Sequence, residues 1–122
     1  MQRIEVVHKL TQGVKTPGIL REKAFDLESV LFSKSTIAPK NVSAWHRHGA
    51  RELYGFTLGG RLRLEYGPGG KERADLFEGD FFRIPTGLAH RDVNPDHSVE
   101  AVIVNILIGK GPPLVNVEGP GV

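Results

Sequence analysis

Apolar and polar residues alternate with a period of two along much of this 122-residue chain. The clearest case is RLRLEY at 61–66, in which Leu62, Leu64 and Tyr66 alternate with charged residues, as on a strand with one wet face. The run VEAVIVNILI at 99–108 is almost continuously apolar, which is typical of a strand buried on both faces. The hydrophobic pattern therefore predicts strands.

Glycine and proline divide the chain into short pieces, since it contains fifteen glycines and eight prolines. Turn signals fall between the patterned stretches at GG 59–60, GPGG 67–70, EGD 78–80 and NPD 94–96. We expect eight to ten short strands, no helix longer than a turn or two, and an all-β sandwich or barrel. The less patterned segments 1–20 and 109–122 could each add an edge strand or wrap a neighbouring molecule.

Composition excludes several classes of function. The length predicts one domain over 1–122, and the absence of cysteine excludes disulfides, zinc–thiolate sites and a thiol nucleophile. No run is long and apolar enough for a signal peptide or a membrane span, so we expect a cytoplasmic protein that does not enter membranes. The net charge is only +2 and the basic residues are scattered, which argues against nucleic-acid binding.

Three metal-ligand side chains lie close together in WHRHGARELYGF at 45–56. On a strand, His46 and His48 project from the same face because side chains two apart share a face. Gly49 can bend the chain so that Glu52, at the start of the next strand, reaches the same point. A helix would bring His48 and Glu52 together, but it would turn His46 away and would be weakened by Gly49.

A further ligand comes from GDFFRIPTGLAHRDVN at 79–94, where Pro85 and Gly87 favour a bend and His90 follows it. Three imidazoles and one carboxylate suit one divalent transition metal ion: Fe, Mn, Ni, Zn, Co or Cu. Such an ion keeps one or two coordination positions open, where water or a substrate can bind.

The two segments resemble the signature motifs of the cupin superfamily. Residues 46–59 read H-x-H-x-x-x-E, six residues and G, and residues 79–94 read G, five residues, P-x-G-x-x-H-x-x-x-N. The opening glycine of the first motif is absent, because Lys40 stands in its place. The resemblance implies a double-stranded β-helix, also described as a jelly-roll β-barrel. It also implies that the metal ligands are His46, His48, Glu52 and His90.

Tyr54 is the candidate catalytic residue. It shares strand parity with Glu52, and its hydroxyl could handle a proton of a substrate or of metal-bound water. Phe56 has the same parity. The alternative is that both aromatic rings only fill the barrel.

Other residues are expected to have structural roles. Arg61 and Arg63 alternate with leucines and should face solvent, unless GG 59–60 forms a two-residue hairpin that turns them inward. Trp45 should face away from the histidines and contribute to packing. Asn94 should fix a turn, and His97 should be exposed.

The superfamily resembled here includes oxygenases, isomerases, decarboxylases, sugar-binding modules and seed-storage proteins, so the fold alone does not decide the function. We favour a small metal-dependent enzyme, dioxygenase- or isomerase-like, that acts on a small oxygen-rich substrate inside the barrel. The alternatives are a ligand-binding or sensing module and a structural zinc site. The resemblance also implies a homodimer, formed at a sheet edge by the apolar run 99–108 and the N-terminal segment.

Overall fold

The computed structural model of the protein describes residues 2–121, which form strands and a single 3-10 turn at Pro68–Gly70. The prediction of an all-β chain is confirmed. The strands are β1 (Thr11–Gln12), β2 (Ile19–Asp26), β3 (Val30–Ile37), β4 (His46–Arg47), β5 (Glu52–Gly59), β6 (Arg61–Tyr66), β7 (Glu72–Phe77), β8 (Phe81–Ile84), β9 (His90–Val93), β10 (Ala101–Ile108) and β11 (Val115–Asn116).

The strands form two antiparallel sheets. Sheet A has the order β1-β2-β3-β10-β5-β8, and sheet B has the order β11-β4-β9-β6-β7. The two weakly patterned segments each supply an edge strand, because β1 pairs with β2 and β11 pairs with β4.

The core lies between the sheets, because every second side chain along each strand points to the inner face. On β10, Ile103 and Leu107 are buried, whereas Val102 and Val104 on the outer face are only partly covered. Within one chain, therefore, only the inner face of the apolar run is fully buried. The core consists of Ile19, Leu31, Ile37, Leu53, Leu62, Leu64, Leu76, Ile84, Ala101, Ile103 and Leu107.

Gly60 carries the chain from sheet A to sheet B between β5 and β6. Its φ is +68°, and a Cβ there would lie 2.2 Å from the carbonyl oxygen of Glu100, so only glycine fits this bend. The two strands are not paired, which excludes the hairpin alternative. Arg61 and Arg63 lie on the outside, and Arg63 Nε is 3.2 Å from an Asp75 carboxylate oxygen.

Lys40, which stands in place of the motif glycine, has a left-handed backbone. Its φ of 63° is the only positive value at a non-glycine position in residues 2–121. Its N–H donates to the carbonyl of Asp96 at 2.9 Å. The chain therefore adopts at Lys40 a conformation that glycine adopts at lower cost.

Asn94 fixes a turn, as predicted. Its side-chain amide donates to the carbonyl oxygens of Ile37 at 3.1 Å and Val99 at 3.0 Å. Its Oδ1 accepts from the N–H of Asp96 at 3.0 Å. Because the residue is buried, these bonds join the end of β9 to the chain that enters β10.

Candidate metal centre

Three histidines converge on the inner face of sheet B. His46 on β4 pairs directly with His90 on β9, and His48 follows β4. One ring nitrogen from each lies within 4.8 Å of the other two, and His46 and His90 are almost fully buried. The structure thus brings together three of the four side chains that the sequence analysis expected to bind a metal.

The second ring nitrogen of each histidine fixes its tautomer. Each Nδ1 lies 2.9 Å from a backbone carbonyl oxygen: His46 to Ala44, His48 to Pro113 and His90 to Leu88. A carbonyl can only accept, so each Nδ1 carries the proton and each neutral ring has a lone pair on Nε2. The Nε2 atoms of His48 and His90 are 3.3 Å apart, with no proton to place between them. A divalent cation can bind both lone pairs.

Burial keeps the rings of His48 and His90 in the neutral form that binds metals. Burial, reinforced by the positive charge that His90 would carry, lowers the pKa of His48 to about 3. Burial also lowers the pKa of His90. Neutral imidazoles whose Nδ1 protons are fixed by carbonyls are the usual ligands of divalent transition metals, so the residues present fit such an ion.

Glu52 does not join the histidines, which corrects the ligand set expected from the sequence. On β5 the inward positions are those of Leu53 and Gly55, so Glu52 lies on the opposite face of sheet A. There its carboxylate accepts hydrogen bonds from Arg83 and from the hydroxyl of Tyr54. The bonds from Arg83 and Tyr54 lower the pKa of Glu52. Glu52 lies on the outer face because side chains alternate along a strand, so the residue next to the inward Leu53 must point outward.

Tyr54 is on the outer face for the same reason, so the prediction that it serves as a catalytic residue lacks geometric support. Its side chain is 42% exposed, and its hydrogen bond to Glu52 raises its pKa. Phe56, the next residue of this parity, packs against Phe81 with ring centroids 4.6 Å apart. Neither aromatic residue lines the cavity that contains the histidines.

Asp92 is the carboxylate that the sequence analysis missed. It lies two residues after His90 on β9 and projects to the same side. Its Oδ1 is 3.9 Å from Nε2 of His46 and 3.9 Å from Nε2 of His90. The spacing H-x-D on a predicted strand was a usable signal, since residues two apart share a face.

The histidines border a cavity of about 440 Å³ between the sheets. Sheet A contributes polar residues to its wall, which we call the polar stripe: Arg21, Lys23, Ser33, Ser35 and Asn105. These residues are neighbours on adjacent strands, and the side-chain amide of Asn105 donates to Ser35 Oγ at 3.0 Å. A single asparagine within the apolar run 99–108 was the sequence signal for this polar wall.

Arg21 is the charged residue of the polar stripe that interacts with Asp92. Burial lowers its pKa, and the negative charge of Asp92 opposes that shift. Its guanidinium also donates to the hydroxyl of Thr16. Asp92 therefore has two imidazoles and one guanidinium near it.

The sequence model of the cupin domain family matches residues 33–107. The chain therefore belongs to this family. The match includes all three histidines and most of both sheets. A search of curated protein sequences gives no match. Within residues 2–121, no helix has the length and apolar character needed to cross a membrane.

Solved structures share the fold. A protein with a double-stranded β-helix domain from Klebsiella pneumoniae is 14% identical, with a TM-score of 0.72 over 88% of this chain and 91% of that one. KdgF from Halomonas sp. is 20% identical, with a TM-score of 0.66 over 85% and 90%. An oxalate oxidase in complex with the substrate analogue glycolate is 26% identical, with a TM-score of 0.63 over 73% and 46%. The predicted double-stranded β-helix is confirmed.

Proposed function

We propose that this chain is a metal-dependent enzyme, dioxygenase- or isomerase-like, acting on a small oxygen-rich molecule in the cavity. The observation that carries the proposal is the convergence of three Nε2 lone pairs at the wall of that cavity. The cofactor is one divalent transition metal ion from the series Fe, Mn, Ni, Zn, Co and Cu.

The proposed ligands are His46, His48 and His90, with Asp92 supplying the carboxylate in place of Glu52. Asp92 is 3.9 Å from two of the three nitrogens, so a small side-chain adjustment completes the set. A bound ion of this kind supplies Lewis-acid activation of oxygen donors. The carbonyls of Ala44, Leu88 and Pro113 hold the imidazoles in place.

The position of the histidines beside open space favours an enzyme or a ligand-binding module over a structural zinc site. Structural sites are usually closed by four protein ligands, whereas this one borders a cavity of about 440 Å³. The oxalate oxidase with the same fold was solved with glycolate, a small oxygen-rich molecule, which supports a ligand of that class here.

Metal analysis of protein purified without a nickel column tests the site. We expect about one equivalent of metal in the wild type, loss of metal in His90→Ala, and weaker metal affinity in Asp92→Asn, which removes the negative charge of the proposed ligand. Glu52→Gln is the matched control, because it changes a carboxylate on the outer face and should keep the metal. Full metal content in His90→Ala would contradict the proposal, and loss of metal in Glu52→Gln would restore the ligand set predicted from the sequence.

Turnover separates the enzyme from its alternatives. Oxygen consumption by the iron-reconstituted protein should be measured with catechols, diketones, thiols and keto-acids, and isomerisation should be followed under nitrogen. Turnover that His90→Ala abolishes supports the enzyme. Tight binding without turnover for every metal supports the sensing module, and metal without ligand binding supports the structural site.

The run 99–108 cannot form the sheet-edge contact expected from the sequence, because β10 lies between β3 and β5 in the middle of sheet A. We also propose that the chain acts as one domain and forms a homodimer through the outer face of sheet A. Val102, Val104 and Ile106 form an apolar row there beside Phe56 and the highly exposed Phe81. Such a row, bordered by polar residues, is typical of a contact with a second molecule. A cytoplasmic location stays a prediction from the sequence.

A further inference from the structure

Arg51 is a buried cation on the cavity wall that the proposed function does not use. It precedes β5, lines the cavity that contains the three histidines, and is only 7% exposed. Its Nε donates to the carbonyl of Gly111 at 2.9 Å. Its Nη1 is buried and has no hydrogen-bond partner among the described residues.

No carboxylate in residues 2–121 lies within ion-pair distance of Arg51. A buried guanidinium without a counter-ion carries a large desolvation cost. Arg21, the other arginine on the wall, differs because it bonds Thr16 and faces the charge of Asp92. Lys23, also on the wall, pairs with Asp26 at 3.0 Å. Among residues 2–121, Arg51 is therefore the cation on this wall that has no counter-ion.

We propose that Arg51 binds a carboxylate group of the ligand that occupies the cavity. A guanidinium presents paired N–H donors that match a carboxylate, and such bonds are stronger than neutral ones. The other walls define the rest of the ligand. Leu53, Leu62, Leu64 and Ile84 form an apolar wall. A metal ion held by the histidines would bind an oxygen substituent of the ligand.

The ligand class is therefore a small carboxylic acid with an apolar body and an oxygen substituent. This assignment rests on the proposed function only for the oxygen substituent, because Arg51 can bind a carboxylate whether or not a metal is present. The size of the cavity is that of a metabolite.

Binding of mandelate and of its neutral amide, mandelamide, tests the assignment. Both carry a phenyl ring and an α-hydroxyl, and they differ in the charged group. Calorimetry should be performed on the full chain, metal-loaded and after treatment with a chelator. We expect mandelate to bind at least about tenfold more tightly than mandelamide in both forms, since the acid alone makes a charge-assisted bond. The same comparison of lactate with lactamide tests the apolar wall, because lactate should bind more weakly than mandelate.

Three variants isolate Arg51. Arg51→Gln should remove the preference for the acid over the amide, and Arg51→Lys should retain part of it because the charge remains. Arg21→Gln is the matched control and should keep the preference. Thermal unfolding and metal content show whether Arg51→Gln is folded, and Arg51→Lys supplies the test if it is not.

The outcomes separate this inference from the proposed function. Equal affinity for the acid and the amide in the wild type, or an unchanged preference in both Arg51 variants, would overturn the assignment. A preference that disappears only in Arg21→Gln would transfer the role to Arg21 and also overturn it. If the protein holds no metal but mandelate still binds through Arg51, the carboxylate site stands and the metal-dependent function fails.

Discussion

The three clustered histidines each have Nδ1 beside a backbone carbonyl, whereas His97 is exposed. A backbone carbonyl fixes that proton in each ring, so three Nε2 lone pairs are directed at one another before any ligand binds. Two of these nitrogens are 3.3 Å apart, and lone pairs at that distance repel each other. The fold thus holds the rings in a geometry that a bound metal ion would stabilise.

Titration of Tyr54 tests whether this residue lies on the outer face of sheet A. Its hydrogen bond to Glu52 raises its pKa, because ionising the phenol breaks that bond and places two negative charges together. The chain has two tyrosines, so Tyr66→Phe leaves Tyr54 as the one that titrates. In the Tyr66→Phe variant we expect Tyr54 to ionise, as followed by tyrosinate absorbance, at a pH above its usual pKa of about 10. Adding Glu52→Gln should move this ionisation to lower pH.

The same titration separates the outer face from the cavity. Protein as purified and protein stripped with a chelator should give the same curve, because Tyr54 is not on the wall that carries the histidines. A curve that moves when the metal is removed would return Tyr54 to the site and would contradict the orientation of β5.

At the level of elements, the strands and turns were predictable from the sequence, and so was the convergence of the histidines. Strand parity predicted the pair His46 and His48, which are two apart, whereas the resemblance to the cupin motifs indicated that His90 lies beside them across a long-range strand pairing. The orientation of β5 was not predictable in the same way. The segment 49–51 links β4 to β5 across two sheets, and its path decides whether Glu52 or Leu53 faces the cavity.

The residues that were missed share one physical cause. Asp92, Arg21 and Arg51 are charged, and a charged residue on a strand is by default expected to face water. Arg21 on β2 is the cation near Asp92 on β9, so the burial of this pair depends on a contact between strands far apart in the sequence. Sequence spacing within one element does not contain that information.

Lys40 provides a test of turn geometry. An L-residue with φ of 63° is strained by about 1 to 2 kcal/mol, whereas glycine is not, although glycine loses more entropy on folding. We expect Lys40→Gly to raise the free energy of unfolding by about 0.5 to 1 kcal/mol in urea denaturation. Lys40→Ala is the control, because it removes the same side chain and keeps Cβ. A Lys40→Gly variant less stable than Lys40→Ala would show that the turn is not left-handed.

At the level of the whole molecule, the two sheets have different outer faces. Sheet B presents charged residues, including Arg63 paired with Asp75, while sheet A presents the apolar row on β10 next to Phe81. The inner face of β10 packs in the core, and its outer face carries the apolar row, so both faces of this strand are apolar. A second copy of the chain packed on sheet A would bury the outer face of β10, which would explain why that face is apolar.

Phe81 and Phe77 offer a matched pair for testing the dimer. Phe81 is 81% exposed on sheet A, and Phe77 is 56% exposed on sheet B. A glutamate in the dimer contact would be desolvated without a partner, so Phe81→Glu should convert the dimer to a monomer in light scattering, while Phe77→Glu should keep the wild-type mass. A monomeric wild type would contradict the homodimer. A dimer that survives Phe81→Glu but not Phe77→Glu would place the contact on sheet B, and the apolar row on β10 would then need another partner.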